Sequence, residues 1–227
     1  MKPGEKGVES ELRLDFLRAE RTGLPEAIFA EGKSAAQLDA ICTQAAEQKK
    51  PLLFTRMSEA QVAALSSSHR ARLDFDARSR TGIFLDVTPP AGAPVVAVVT
   101  AGSTDVPVAR EAARTLTFLG VPHVEVYDVG VAGLWRLLEK VELLRSVRAV
   151  ICVAGMEAAL PSVVGGLVPG LVIAVPTSVG YGVAAGGHTA LNAALTSCVS
   201  GVVVVNIDNG YGAACAAVRA LGHPHAS

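Results

Sequence analysis

Several absences narrow this chain before any motif is considered. Charge of one sign is missing: 20 Lys and Arg face 21 Asp and Glu in 227 residues, so there is no electrostatic footprint for nucleic acid or an anionic membrane. Long hydrophobic runs are missing too, because Gly, Pro or polar residues interrupt each apolar stretch before it could span a bilayer. The four cysteines, Cys42, Cys152, Cys198 and Cys215, have neither metal-ligand nor disulfide-framework spacing, and reduced thiols are the default. The opening Met1-Lys-Pro-Gly-Glu-Lys-Gly7 is charged and holds no apolar signal region, so a cytoplasmic chain is expected. Aromatics are only 4% of residues, against 50% apolar overall and 22 glycines. That balance suits buried Val-rich strands and tightly packed helices, the needs of a sheet covered on both faces.

The chain reads as two unequal parts, 1–90 and 91–227, joined by Thr88-Pro-Pro-Ala-Gly-Ala-Pro94, whose prolines hold an extended connection. The first part predicts a small α+β unit. It has a helix from Ser34, its N-cap, to Gln48 and a strand over Pro51–Met57. A helix over Ser58–Leu65 and strands near Leu73–Ala77 and Gly82–Val87 follow. From Pro94 strands alternate with helices. Strands are predicted at Val95–Thr100, His123–Tyr127, Ala149–Ala154, Leu171–Val175 and Val202–Ile207. Helices are predicted at Pro107–Leu119, Gly133–Arg145, Ala158–Leu167, Gly187–Ser197 and Tyr211–Leu221. This is the pattern of an α/β fold, a three-layer, doubly wound parallel sheet of flavodoxin-like type, whose ligands bind beyond the carboxyl ends of the strands.

The turns at that edge carry the chemistry. Gly102 permits a tight turn and Ser103 and Thr104 offer hydroxyls near free helix amides, a place for phosphate or ribose. Asp105 suits a sugar hydroxyl or a plain helix cap, with equal weight. It is not a dinucleotide fingerprint, since no further glycines follow at the needed spacing. After the third strand, Gly155 and Met156 lead to Glu157, a lone carboxylate in an apolar loop: either a solvated helix-start glutamate or, facing a closed cavity whose desolvation raises its pKa, a general acid or base. Pro176-Thr-Ser-Val-Gly-Tyr-Gly-Val-Ala-Ala-Gly-Gly187 holds Thr177, Ser178 and Tyr181 among four glycines, Gly180, Gly182, Gly186 and Gly187, more than a turn needs. Asn206, Asp208 and Asn209 end the last strand, and Cys198 stands between Ser197 and Ser200 among small neighbours that leave its sulfur approachable. The remaining candidates read as background. Cys42, Cys152 and Cys215 are small core hydrophobes, Trp135 packs, His223 and His225 belong to a loose tail, and Arg21, Lys33, Arg78 and Arg80 form solvated surface or bind substrate anions.

Gly102-Ser-Thr-Asp105, Ala154-Gly155 with Leu160-Pro161, and Ile173-Ala-Val-Pro176 together resemble the carboxylase domain of the aminoimidazole ribonucleotide carboxylases and mutases of purine synthesis. The chain departs from them where their chemistry lies. Ala159 replaces the histidine before Leu-Pro, and Asp128-Val-Gly-Val-Ala132 replaces the Ser-Ala-His-Arg turn. A longer likeness carries further. Gly155-Met-Glu-Ala-Ala-Leu-Pro-Ser-Val-Val-Gly-Gly166, Pro176–Gly182, Ser197-Cys198, Val205-Asn-Ile-Asp-Asn-Gly210 and Arg21–Lys33 are similar to the pyridinium-3,5-biscarboxylic acid mononucleotide synthase family (LarB-type) of nickel-pincer cofactor biosynthesis. His188 is a mild departure.

That resemblance implies carboxylation of the pyridinium ring of nicotinic acid adenine dinucleotide by CO2 or bicarbonate, then hydrolysis of the phosphoanhydride to AMP and the biscarboxylated mononucleotide. Cys198 would add to the ring as thiolate, Glu157 would remove the ring proton, and Asp105, Ser103 and Thr104 would hold the ribose-phosphate end and serve the hydrolysis. No tightly bound cofactor or metal ligand is implied, and a Mg requirement is left open. The alternatives are a purine-type carboxylase or mutase and a nucleotide-binding module without turnover. Because Cys198 follows a helix, it should fall at the amino edge of its own sheet, opposite Glu157. A homo-oligomer, octameric like the purine relatives, with sites at subunit interfaces is therefore expected.

Overall fold

The computed structural model describes residues 11–222. The chain separates into two compact units at Thr88–Pro89. In the first, α1 (Arg18–Thr22), β1 (Ala27–Phe29), α2 (Ala35–Gln48), β2 (Leu52–Thr55), α3 (Glu59–Ala64), α4 (Ser67–Arg70), β3 (Leu73–Asp76) and β4 (Thr81–Phe84) build a mixed sheet of order β1-β2-β4-β3. Only β1 and β2 run parallel. Ser34 and Ser58 start their helices through reciprocal capping boxes with Gln37 and Gln61, each satisfying otherwise orphaned amides. Leu38 and Ile41 of α2 bury against Phe54, Met57 and Phe84. β2 and β4 are shorter than predicted because Arg56 and Leu85 adopt left-handed φ of 55° and 66°, which ends the ladder.

The second unit is the predicted parallel α/β sheet. Its strands β5 (Val96–Thr100), β6 (His123–Val126), β7 (Ala149–Ala154), β8 (Leu171–Pro176) and β9 (Val202–Val204) lie in the order β6-β5-β7-β8-β9, every pair parallel. Between and after them come α5 (Val106–Phe118), α6 (Leu134–Leu138), α7 (Val141–Ser146), α8 (Ala159–Gly165), α9 (His188–Leu195) and α10 (Gly210–Leu221). β5, β7 and most of β8 are buried, which is why they read as near-continuous Val, Ile and Ala. Alternate residues Ala97, Val99, Val150, Cys152 and Val172 meet Leu137, Leu144, Leu160, Val164 and Ala190 from α6–α9 in one core cluster. α5 and α10 pack on each other and on β7.

Three predicted elements change. The single helix over Gly133–Arg145 is two, because Lys140 bonds tightly back to Leu137 at 2.9 Å; the apolar spacing Leu137, Val141, Leu144 survives across the joint and stays buried. The last strand stops at Val204, as the chain turns through Asn206, whose own side chain accepts the Ile207 amide. α9 stops at Leu195, before Ser197; the Thr196 hydroxyl bonds the Asn192 carbonyl as the chain leaves the helix. Trp135, expected to pack, is 63% exposed. Cys42 and Cys152 are buried as expected, while His223 and His225 lie outside the described residues. Among the described residues no helix is long and apolar enough to cross a membrane.

Candidate active site

In a parallel sheet the strand order reverses between β5 and β7, since β6 lies to one side of β5 and β7 to the other. The loops after those strands part there and leave a crevice. A cleft of about 270 Å³ occupies this place. Gly102, Thr104 and Asp105 line it from the β5 loop, Gly130, Val131 and Ala132 from the β6 loop, and Gly155, Met156, Glu157 and Ala159 from the β7 loop. Among the described residues its only ionisable lining residues are Asp105 and Glu157, both acids.

The turn carrying Glu157 is strained. Met156 and Ala158, neither of them glycine, hold left-handed φ of 54° and 46° on either side of Glu157. Such residues cost on the order of 1–3 kcal/mol each and persist where surrounding structure dictates them. Here it does: the Met156 amide bonds the Val179 carbonyl at 2.9 Å, and the Ala158 amide bonds the Gly155 carbonyl at 2.9 Å. Gly155 sits so tightly that an added Cβ would lie 2.3 Å from the Val179 oxygen. Glu157 itself remains exposed, so the cleft is not the closed, dry cavity that one expectation required.

Asp105 is 3% exposed. Its side chain makes no cap hydrogen bond to α5 itself, but it closes the 3-10 turn that leads into that helix by accepting the Gly102 amide, so a capping role is kept. Oδ2 accepts the Gly102 amide at 2.9 Å, Oδ1 accepts the Thr177 hydroxyl at 2.7 Å, and the Gly155 amide also bonds the carboxylate. Burial pushes its pKa above the ordinary carboxylate range, with the nearby Asp208 charge adding to the rise and the three hydrogen bonds working against it.

The other predicted residues divide. Ser103 lies in the exposed 3-10 turn next to the lining residues. Pro176 ends β8, and Thr177 is fully buried behind the cleft. Ser178 donates its amide to Asp208 Oδ1 at 2.8 Å, and Asn209 caps α10 through the Gly212 amide, so these polar groups are engaged in holding the edge together. Gly187 is dictated by φ of 81° and the nearby Thr177 carbonyl, which a Cβ would meet at 2.7 Å. Gly180, Tyr181, Gly182 and Gly186 belong to the loop beyond, with Tyr181 78% exposed. Among them and their neighbours only Val179 lines the cleft. Val179 and Gly130–Ala132 were missed because small apolar residues carry no chemical signal; the nearest hint was that Asp128–Ala132 stands where the purine enzymes have a charged turn.

Cys198 is exposed and does not line the cleft. Its turn leans on α8: the Ser197 and Ser162 hydroxyls are 2.7 Å apart, and Val199 packs on Gly165. Among the described residues no group of three or more His, Cys, Asp or Glu could hold a metal ion.

A family model described as AIR carboxylase matches residues 95–227. The chain belongs to the AIR carboxylase family. A second model, the LarB/PurE-like N-terminal domain, matches residues 9–85 of this AIR carboxylase relative, so both units are accounted for and a carboxylase-type function follows. An uncharacterized protein of Methanocaldococcus jannaschii is 36% identical over 215 residues, covering 91% of this chain and 82% of its own length. Among solved structures the chain is similar to a substituted form of Treponema denticola PurE2, with TM-score 0.47 and 22% identity over 57% of this chain and 80% of that one. Treponema denticola PurE is similar with TM-score 0.43 and 23% identity over 56% and 80%.

Proposed function

We propose that this AIR carboxylase family member acts on a pyridinium ring rather than an aminoimidazole: it carboxylates nicotinic acid adenine dinucleotide and then releases AMP. The observation that carries this reading is the charge of the cleft. Among the described residues Asp105 and Glu157 line it and no cationic side chain does, an environment that favours a cationic ring. The LarB/PurE-like match of the first unit and Ala159 in the place of the purine enzymes' histidine point the same way.

A pyridinium carbon bearing hydrogen is too electron-poor to attack CO2. Addition of the Cys198 thiolate moves an electron pair onto the ring nitrogen and leaves a neutral, enamine-like ring. Its second meta carbon then attacks CO2, forming the C–C bond and a ring cation. Glu157 takes the proton from that carbon, and loss of the thiolate restores the aromatic pyridinium. Water cleaves the phosphoanhydride afterwards, giving AMP and pyridinium-3,5-biscarboxylic acid mononucleotide. Cys198 lies outside its own cleft, so it serves the ring in the cleft of a second copy, and the working species is a homo-oligomer.

Incubation with nicotinic acid adenine dinucleotide and bicarbonate, followed by mass spectrometry, tests the reading. AMP with a doubly carboxylated mononucleotide is expected. Intact dinucleotide, or turnover of an aminoimidazole ribonucleotide instead, overturns it.

A further inference from the structure

We infer, on the proposed role of Cys198 as the nucleophile, that Ser162 is its positioning residue: the hydrogen bond from Ser162 to Ser197 fixes the turn from which the sulfur is presented. Along 196–200 the chain alternates, with Thr196, Cys198 and Ser200 exposed and Ser197 and Val199 half-buried. The two inward residues bracket the cysteine, and both land on α8. The Ser197 and Ser162 hydroxyls are 2.7 Å apart, and Val199 packs on Gly165, where an added Cβ would lie 2.8 Å from Val199 Cγ1. Ser162 and Gly165 are three apart and so share one face of the helix. The Val199 amide also donates to the Ser197 hydroxyl oxygen at 3.3 Å, so moving Ser197 moves the backbone on both sides of Cys198. Neither serine lines the cleft.

A thiol that serves the cleft of a second copy has no contact with its own cleft loops to correct its aim. Its placement is inherited from the subunit that carries it, which supplies one polar tie and one apolar contact. Ser162→Ala removes the polar tie and leaves the Val199–Gly165 packing, the sulfur and the cleft untouched. Its kcat is expected to fall about 10- to 100-fold, the larger figure being the cost of misplacing a catalytic group by about 1 Å. KM stays within about threefold, because no group that binds substrate is lost. Ser162→Thr keeps the hydroxyl and brings kcat back to within about threefold of the unaltered chain. Ser197→Ala cuts the same tie from the other side and serves if Ser162→Ala does not fold. The double Ala variant loses no more kcat than Ser197→Ala alone, since both changes remove one bond.

Two readouts need no substrate. In Ser162→Ala the Val199 amide exchanges at least about tenfold faster while Ile151 in β7 does not. Alkylation of Cys198 by iodoacetamide, followed at its own peptide to separate it from Cys215, stays within about twofold, because the thiol is exposed with or without the tie. Single-variant losses that multiply in the double variant, a KM rise without a kcat fall, unchanged Val199 exchange, or alkylation that slows as much as turnover each overturn the inference. If Cys198→Ala turns over normally, the proposed reaction fails, and Val199 exchange still decides whether Ser162 holds the turn.

Discussion

Gly155→Ala tests the link between close packing and the Glu157 turn. The added Cβ would stand 2.3 Å from the Val179 carbonyl oxygen and 2.7 Å from the Thr177 hydroxyl oxygen; real Cβ contacts stay above 3.0 Å, so something must move by at least 3.0 − 2.3 = 0.7 Å. The nearer atom is backbone and accepts the Met156 amide, so no side-chain rotation relieves the overlap. Overpacking of this kind costs about 1–3 kcal/mol, and a loosened amide bond adds about 1 kcal/mol. A total of about 2–4 kcal/mol lowers Tm by roughly 5–15 °C in a unit of this size. A displacement near 1 Å at a catalytic carboxylate is worth about 100-fold in kcat. Gly166→Ala is the control: its φ is −79° and the new Cβ would make contacts no closer than 3.5 Å, so stability should change by less than about 0.5 kcal/mol. Thermal unfolding and product formation are measured on both. If Gly155→Ala matches Gly166→Ala in Tm and kcat, the reasoning from close approach to catalysis fails.

Two further outcomes are expected. Burial, with Asp208, raises the Asp105 pKa above its ordinary 3.8, so its contribution to stability is present below that pH and is lost as pH rises through the higher folded-state value. Asp105→Asn should therefore have the higher urea midpoint at pH 7, and the gap should shrink on acidification; a lower midpoint at pH 7 refutes the sign. A Cys198→Ala chain co-assembled with a Glu157→Gln chain should regain activity that neither has alone, because hybrid sites contain one intact set of groups; no recovery places thiol and carboxylate in one chain.

What the sequence made legible follows from periodicity. Uninterrupted Val, Ile and Ala in β5, β7 and β8 signal strands buried on both faces, and that alone implies parallel order and a crevice beyond their carboxyl ends. Gly102, Asp105, Gly155 and Glu157 are therefore assignable to one edge from the sequence. What stayed hidden was backbone conformation and local satisfaction. Nothing about methionine or alanine as residue types announces φ above zero at Met156 and Ala158. Asn206 and Asn209 look like ligand groups yet spend their oxygens on the Ile207 and Gly212 amides, because turns and helix starts have amides to satisfy.

The position of Cys198 was legible for a topological reason, and that reason bears on assembly. In a strand–helix–strand unit of a parallel sheet, residues after a strand and residues before the next belong to opposite edges. A strand of six residues such as β8 separates those edges by about 20 Å. Cys198 comes after α9 and before β9, and its turn is anchored on α8 by Ser197 and Val199 rather than on the cleft loops. Bringing it to its own Glu157 would require breaking the Ser162–Ser197 bond and the Val199–Gly165 packing. A second copy need break neither, since an exposed thiol on a fixed turn is already presented outward. Assembly of whole, folded subunits is therefore the cheaper route to a site containing both groups, and it requires of each subunit only the surface it already has.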